Sequence, residues 1–240
     1  MSDAAATPLW SGPGLIQVFF TQTDTSVSEE TILKWLDEEH IPALMATGVA
    51  KSGWRHKAAD SAYSKPHMLL YKVPDLSSVL SGKLETVPRT SDLFPDGKPI
   101  DDFVTVESKV FTFVQLYEPT KQPEDAGNTI IMAAMEPSPG GEADLEAWYR
   151  DEHNEQMSKE PGYKRTARFS LLAQNRTDGK ESERISFLAI HEFGEGHKIG
   201  KDVKPLDPMT EWTKRCMSNA KAIDAAIYNK QKVFGAAAES

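Results

Sequence analysis

One short stretch of the chain is written twice. Lys34-Trp35-Leu36-Asp37-Glu38-Glu39-His40 and Ala147-Trp148-Tyr149-Arg150-Asp151-Glu152-His153 share the Trp, the Glu and the His. An acid precedes the Glu in both, and a large apolar residue follows the Trp. The offset, 153 − 40 = 113 residues, is close to half of the 240-residue chain. So short a motif can recur by chance, but its surroundings recur with it. An apolar run of strand type precedes each copy, Leu15 to Phe20 and Thr129 to Met135. Thr47-Gly48-Val49 and Trp54-Arg55 follow the first copy; Pro161-Gly162-Tyr163 and Arg168-Phe169 follow the second. A further run closes each set, Met68 to Val73 and Ser186 to Phe193. An internal duplication accounts for all of these matches.

The local patterns turn that repeat into a fold. Ser28 with Glu29 and Glu30 supplies a helix cap and an acidic first turn. Ile32, Trp35, Leu36, Glu39, His40, Ala43 and Leu44 then fall on one side of a helix, so Glu39 and His40 sit on or beside its buried stripe. Copy two repeats this with Leu145, Trp148, Tyr149, Glu152, His153, Gln156 and Met157. Gly48 and Gly162 end the helices and turn the chain into a second strand. Residues Ser77 to Leu84 and Met209 to Ala222 read as further helices, and Phe103 to Tyr117 and Ile223 to Phe234 as closing strands. A Pro- and Gly-bearing loop fills Pro88 to Ile100. Each half is thus βαββαβ, the ferredoxin-like unit, whose sheet has one face under helices and another that needs cover. The fold class expected is α+β: two tandem ferredoxin-like modules whose antiparallel sheets pack into a single-chain α/β barrel. The expected division is a flexible tail over 1–13, a first module over 14–118, a linker over 119–128, a second module over 129–235 and a tail over 236–240.

Composition narrows the partners. A net charge of −9 without a basic run argues against nucleic acid or an anionic membrane as a partner. The 39% of hydrophobic residues can bury a sizeable core, yet no run of about 18 apolar residues exists to span a bilayer. A single cysteine, Cys216, fits a reducing compartment, and the first residues lack a secretion signal, so a cytoplasmic location is expected.

The Trp-large-x-acid-Glu-His helix, the Gly eight or nine residues on, and the run Ala189-Ile190-His191-Glu192-Phe193 together resemble the EthD-like branch of the dimeric α/β-barrel superfamily. The resemblance covers roughly 15–117 and 129–234 and is clearer in the second half. In the first, Lys72-Val73 replaces the Glu-Phe pair and no aromatic follows Gly48. It implies a barrel ordinarily assembled from two chains but fused here into one, a monomer holding an internal pseudo-dimer, with further self-association left open. It also implies relatives of several activities: cofactor-free monooxygenases, polyketide cyclases, decarboxylases and an isomerase.

The residues themselves allow a proton-transfer site. His40 and His153 can take and give a proton near neutral pH, which suits enolisation, cyclisation or decarboxylation, and Glu39 or Glu152 could orient each ring. The plain alternative is a histidine that only packs at its helix end. The two sheets are expected to enclose a chamber inside the barrel, and the family habit of aiming this histidine at that chamber favours function. Tyr71 and His191 occupy matching places on the third run and could donate to an enolate or phenolate oxygen. Arg55 and Arg168 could hold a substrate carboxylate, although such arginines more often pair with an acid. Trp54 and Tyr163 would offer aromatic walls. His56 and His67 could meet across adjacent strands, but there is no HExxH, paired-cysteine, GxGxxG or GxSxG pattern, so no metal or cofactor is expected. The function expected is a cofactor-independent enzyme acting by general acid–base chemistry on a small aromatic or polyketide-like molecule. Cyclisation or decarboxylation comes first and phenolate monooxygenation second, with His153 favoured over His40. The alternative is a non-catalytic small-molecule-binding or stress-associated barrel protein.

Overall fold

The computed structural model describes residues 9–240, so all of the N-terminal tail but 9–13 lies outside the described residues. Eight antiparallel strands close into a barrel. β1 (Gly14–Gln22), β2 (Ser52–Ala58), β3 (His67–Val73) and β4 (Val104–Tyr117) come from the first half. β5 (Thr129–Pro137), β6 (Tyr163–Arg176), β7 (Phe187–Phe193) and β8 (Ala220–Gly235) come from the second. Within each half the spatial order is the same: β4-β1-β3-β2 and β8-β5-β7-β6. The long strands make the closure. β4 pairs with β1 over Val104–Thr112 and with β6 over Glu107–Tyr117. β8 pairs with β5 over Ala220–Asn229 and with β2 over Tyr228–Gly235.

Alternation along each strand sends one set of side chains into the bore and the other outward. Leu15, Phe19, Met68, Leu70, Phe111, Met132, Phe169, Leu188, Ile190 and Tyr228 form one buried cluster drawn from both halves. The bore is therefore filled with large side chains, and the expected chamber does not lie there. Outward residues pack beneath helices instead. In the first half these are α1 (Glu29–Trp35), a π-helical turn (Leu36–His40) and α2 (Ile41–Ala46). In the second they are α3 (Glu142–Trp148), a π-helical turn (Tyr149–His153) and α4 (Asn154–Met157). Ser28 caps α1 as its sequence suggests, its Oγ accepting from the Thr31 amide at 3.1 Å.

The last helix of each half departs from expectation. The first half has no α-helix over Ser77 to Leu84. It makes tight 3-10 turns at Leu76–Ser81 and Leu84–Thr86, separated by Gly82 at φ 77°. The second half has α5 (Glu211–Ser218), shorter than expected, because Ala220 and Ala222 already pair with Pro137 and Glu136 of β5. Strand pairing there outweighs the helix preference of an Ala-rich segment. At the C-terminus Ala237 is buried and its amide donates to Ser52 Oγ at 3.1 Å. Among the described residues, no helix is long and apolar enough to cross a membrane.

Candidate functional site

The repeated motif owes its geometry to the π turns. Trp and His stand five apart (40 − 35 and 153 − 148), a spacing that an α-helix of 3.6 residues per turn sends to different faces. Widening one turn to i→i+5 hydrogen bonds, Ile41 N–H to Leu36 O and Asn154 N–H to Tyr149 O, brings the pair together. The rings of Trp35 and His40 lie 4.6 Å apart and those of Trp148 and His153 4.1 Å.

The two halves then diverge. In the second, Ala133 of β5 pairs with Ala189 of β7 on one side and Ala225 of β8 on the other, a row of methyl groups on the outer face. Val18 and Leu69 pair at the corresponding place in the first half and pack into its buried core. The alanines leave the floor low, and a cavity of about 890 Å³ lies between sheet and helices. Trp148, Tyr149, His153, His191, Met135 and Met157 line it, and residues 198–207 run along its mouth. In the first half, Phe94 from the Pro88–Ile100 loop fills the matching space, its ring 5.4 Å from Trp35 and 5.5 Å from Phe103. Phe94→Ala is expected to cost about 3–5 kcal/mol in denaturant unfolding, since it empties a packed site rather than an open one.

Of the candidate residues, the cavity gathers His153 and His191, with ring centroids 5.5 Å apart and planes at 83°. Burial and the Arg168 charge push His153 down to about 3, and burial, His153 and Arg168 hold His191 well below the ordinary histidine range. Both rings are therefore neutral near pH 7. His191 is 2% exposed, and its Nδ1 lies 2.8 Å from Thr166 Oγ1, which in turn lies 2.7 Å from Tyr163 Oη. Tyr163 is thus behind the histidine and not a wall of the cavity. Thr166 carried no signal in the sequence beyond its place in a mixed-polarity strand.

The other candidates lie elsewhere. His40 Nδ1 meets Pro88 O at 3.2 Å, and burial lowers its proton affinity. Tyr71 is buried in the first-half core with its hydroxyl unpartnered, and burial pushes its pKa up. Trp54 packs against the bore cluster and donates to Asp125 at 3.0 Å. Arg55 is spent on Asp37, with bonds of 2.8 and 2.9 Å. Arg168 binds Glu146 at 3.0 and 2.5 Å beneath the Tyr149 ring, so it offers no free fork to a carboxylate. Neither Glu39 nor Glu152 orients its histidine: Glu39 accepts from Ser91 Oγ at 3.0 Å and Glu152 from Thr210 Oγ1 at 2.6 Å. His56 pairs with Met68 in the bore, while His67 stacks outward on Phe20 at 4.5 Å, so the two point to opposite faces. Among the described residues, no group of three or more His, Cys, Asp or Glu is placed to hold a metal ion.

No protein-family model matches the sequence, and no curated protein matches it. Solved structures share its fold. An anthrone oxidase-like protein superposes with a TM-score of 0.59 at 13% identity, over 96% of this chain and 95% of the other. A candidate monooxygenase from Fusobacterium nucleatum gives 0.57 at 12% identity, over 95% and 96%. A third, a candidate monooxygenase from Lactobacillus acidophilus, gives 0.52 at 10% identity, over 93% and 96%. At such identities the likeness is one of architecture: a single-chain α/β barrel built from two ferredoxin-like halves.

Proposed function

We propose that the second-half cavity binds a small aromatic or polyketide-like molecule. The protein acts on it by general acid–base chemistry without a cofactor, using His153 and His191. The observation that carries this reading is the pair of neutral imidazoles, one from the helix side and one from the sheet, lining a cavity large enough for such a molecule. Moving a proton off a phenol or an activated carbon begins cyclisation and phenolate oxygenation, and delivering a proton to carbon as CO2 leaves completes decarboxylation. The solved structure named as an anthrone oxidase-like protein lends weight to an aromatic substrate, and the candidate monooxygenase to a small-molecule enzyme. The same reading takes the chain as a tandem duplication akin to the EthD-like branch, with modules at 14–118 and 129–235. Its support is the shared strand order and the π turn at both copies of the motif.

The first test is identification by mass spectrometry of small molecules retained through purification, followed by turnover of the ligand found. His191→Ala and His153→Ala are each expected to lower kcat/KM by about a hundredfold or more, and His40→Ala to leave it unchanged. Ala133→Leu is expected to remove binding by raising the cavity floor. Wild-type turnover in both second-half variants would defeat the catalytic assignment. A ligand held by the wild type and Ala133→Leu alike would defeat the site. A ligand held in the cavity but never converted would make this a binding protein.

A further inference from the structure

The hydroxyl chain behind His191 has a direction. Tyr163 Oη lies 2.7 Å from Thr166 Oγ1 and 3.3 Å from the backbone carbonyl of Tyr117, which can only accept. If Tyr163 donates to that carbonyl, Thr166 donates to Tyr163 and His191 Nδ1–H donates to Thr166. All three contacts then hold a hydrogen. In the reverse order Tyr163 donates to Thr166 and Thr166 to His191 Nδ1, and the Tyr163 hydroxyl oxygen then faces the Tyr117 carbonyl with no hydrogen between them. Buried polar groups favour the arrangement that satisfies them all. His191 therefore carries its proton on Nδ1 and turns the Nε2 lone pair to the cavity.

His153 has the opposite preference. Its Nδ1 is buried with no partner. A buried N–H without an acceptor is rarer than an unfilled lone pair, so the His153 proton belongs on Nε2. The cavity lining then offers one acceptor, on His191, beside one donor, on His153. The first half has no such device: Gly53 pairs with Tyr71 where Thr166 pairs with His191.

We propose that this acceptor–donor pair selects ligands through a hydroxyl group, a phenol or enol, which gives its hydrogen to His191 and takes one from His153. Thr166 and Tyr163 are positioning residues that hold the His191 tautomer. When the hydroxyl ionises, its proton passes to His191 Nε2, whose low proton affinity is offset by the negative oxygen formed beside it, and that oxygen is held by His153 N–H. The ligand class rests on the functional reading above, whereas the tautomer is read without any turnover, so the two fail separately.

The experiment pairs nitrogen-15 NMR of the histidine rings with binding of 1-naphthol and 1-methoxynaphthalene. The wild type is expected to show His191 protonated on Nδ1 and to bind the naphthol at least about tenfold more tightly than the ether, which can accept but not donate. Thr166→Val removes the hydroxyl while keeping the branched shape. It is expected to lose both the Nδ1 tautomer and the discrimination, and Thr166→Ser to keep both. Tyr163→Phe, which leaves Thr166 in place, is expected to weaken the tautomer preference. A wild-type His191 protonated on Nε2, or a naphthol that binds no better than its ether, overturns the proposal. So does a folded Thr166→Val protein with unchanged spectrum and discrimination.

Discussion

Acidification from pH 7 to pH 5 is expected to strip about 4 kcal/mol or more from the folding stability, most of what holds a marginal domain together. His56, His153 and His191 are the cause. Burial holds His56 at about 3, with Lys230 and Arg55 adding to the effect; His153 is at about 3 and His191 well below its ordinary value. Unfolded, each would titrate near 6.5. Above that value neither state takes up the proton and the full stability is present. Below it the unfolded chain binds protons that the folded one refuses, and each group then removes about 1.4 kcal/mol per pH unit until its folded value is reached. His56 and His153 together give about 3 kcal/mol per unit, and His191 acts in the same direction. His40 and His67, also held low by burial, act in the same direction. Denaturant unfolding at pH 7, 6 and 5 measures the slope, and His56→Gln should lower it by one proton's worth. A stability at pH 5 within about 1 kcal/mol of that at pH 7 would mean that these rings are not buried as described. The same shifts govern activity. A neutral base stays neutral down to the unfolding pH, so the acid limb of any rate profile should coincide with loss of structure and not with a titration near 6.5.

The features legible in the sequence were those written as periodicity or as repeated identity. Alternation gave the strands, and the doubled motif gave the equivalence of His40 with His153 and of Tyr71 with His191, which the shared strand order places on matching rungs. The five-residue Trp–His spacing was also in plain view, but it identifies a π turn only when the two rings are required to meet. The cavity was not legible, because it arises from three single alanines on different strands, while its first-half counterpart is closed by a phenylalanine delivered by a distant loop. Neither is a local pattern. Thr166 escaped for a similar reason: its role follows from facing His191 across a β ladder. The bore was misjudged because strand alternation says which residues share a face, not how much space they leave. Phe19, Phe111, Phe169 and Tyr228 leave little.

Gly48 and Gly162 read alike in sequence, yet their alanine variants are expected to differ by several-fold in cost. Both adopt the left-handed conformation, φ 72° and 75°, after the motif helix. An added Cβ at Gly48 meets nothing within 4 Å, so Gly48→Ala pays only the conformational strain, about 1 kcal/mol. At Gly162 the same atom would lie 2.7 Å from His197 N, 2.8 Å from Gly194 O and 2.9 Å from His197 Cβ. Two of those three are backbone atoms and cannot turn aside as a flexible side chain would. Gly194 N also donates to Gly162 O at 2.8 Å, so the crossing is tied as well as close. Gly162→Ala is therefore expected to destabilise by about 3 kcal/mol or more. The 194–197 backbone leads directly into residues 198–207 at the cavity mouth, so relief of the clash must displace that segment. Urea midpoints of the two variants measure the difference in stability, and naphthol affinity of the folded Gly162→Ala protein measures the displacement. Equal midpoints would show that the chain bends around Gly162 at no cost, and unchanged affinity would show that the mouth of the cavity does not depend on this crossing.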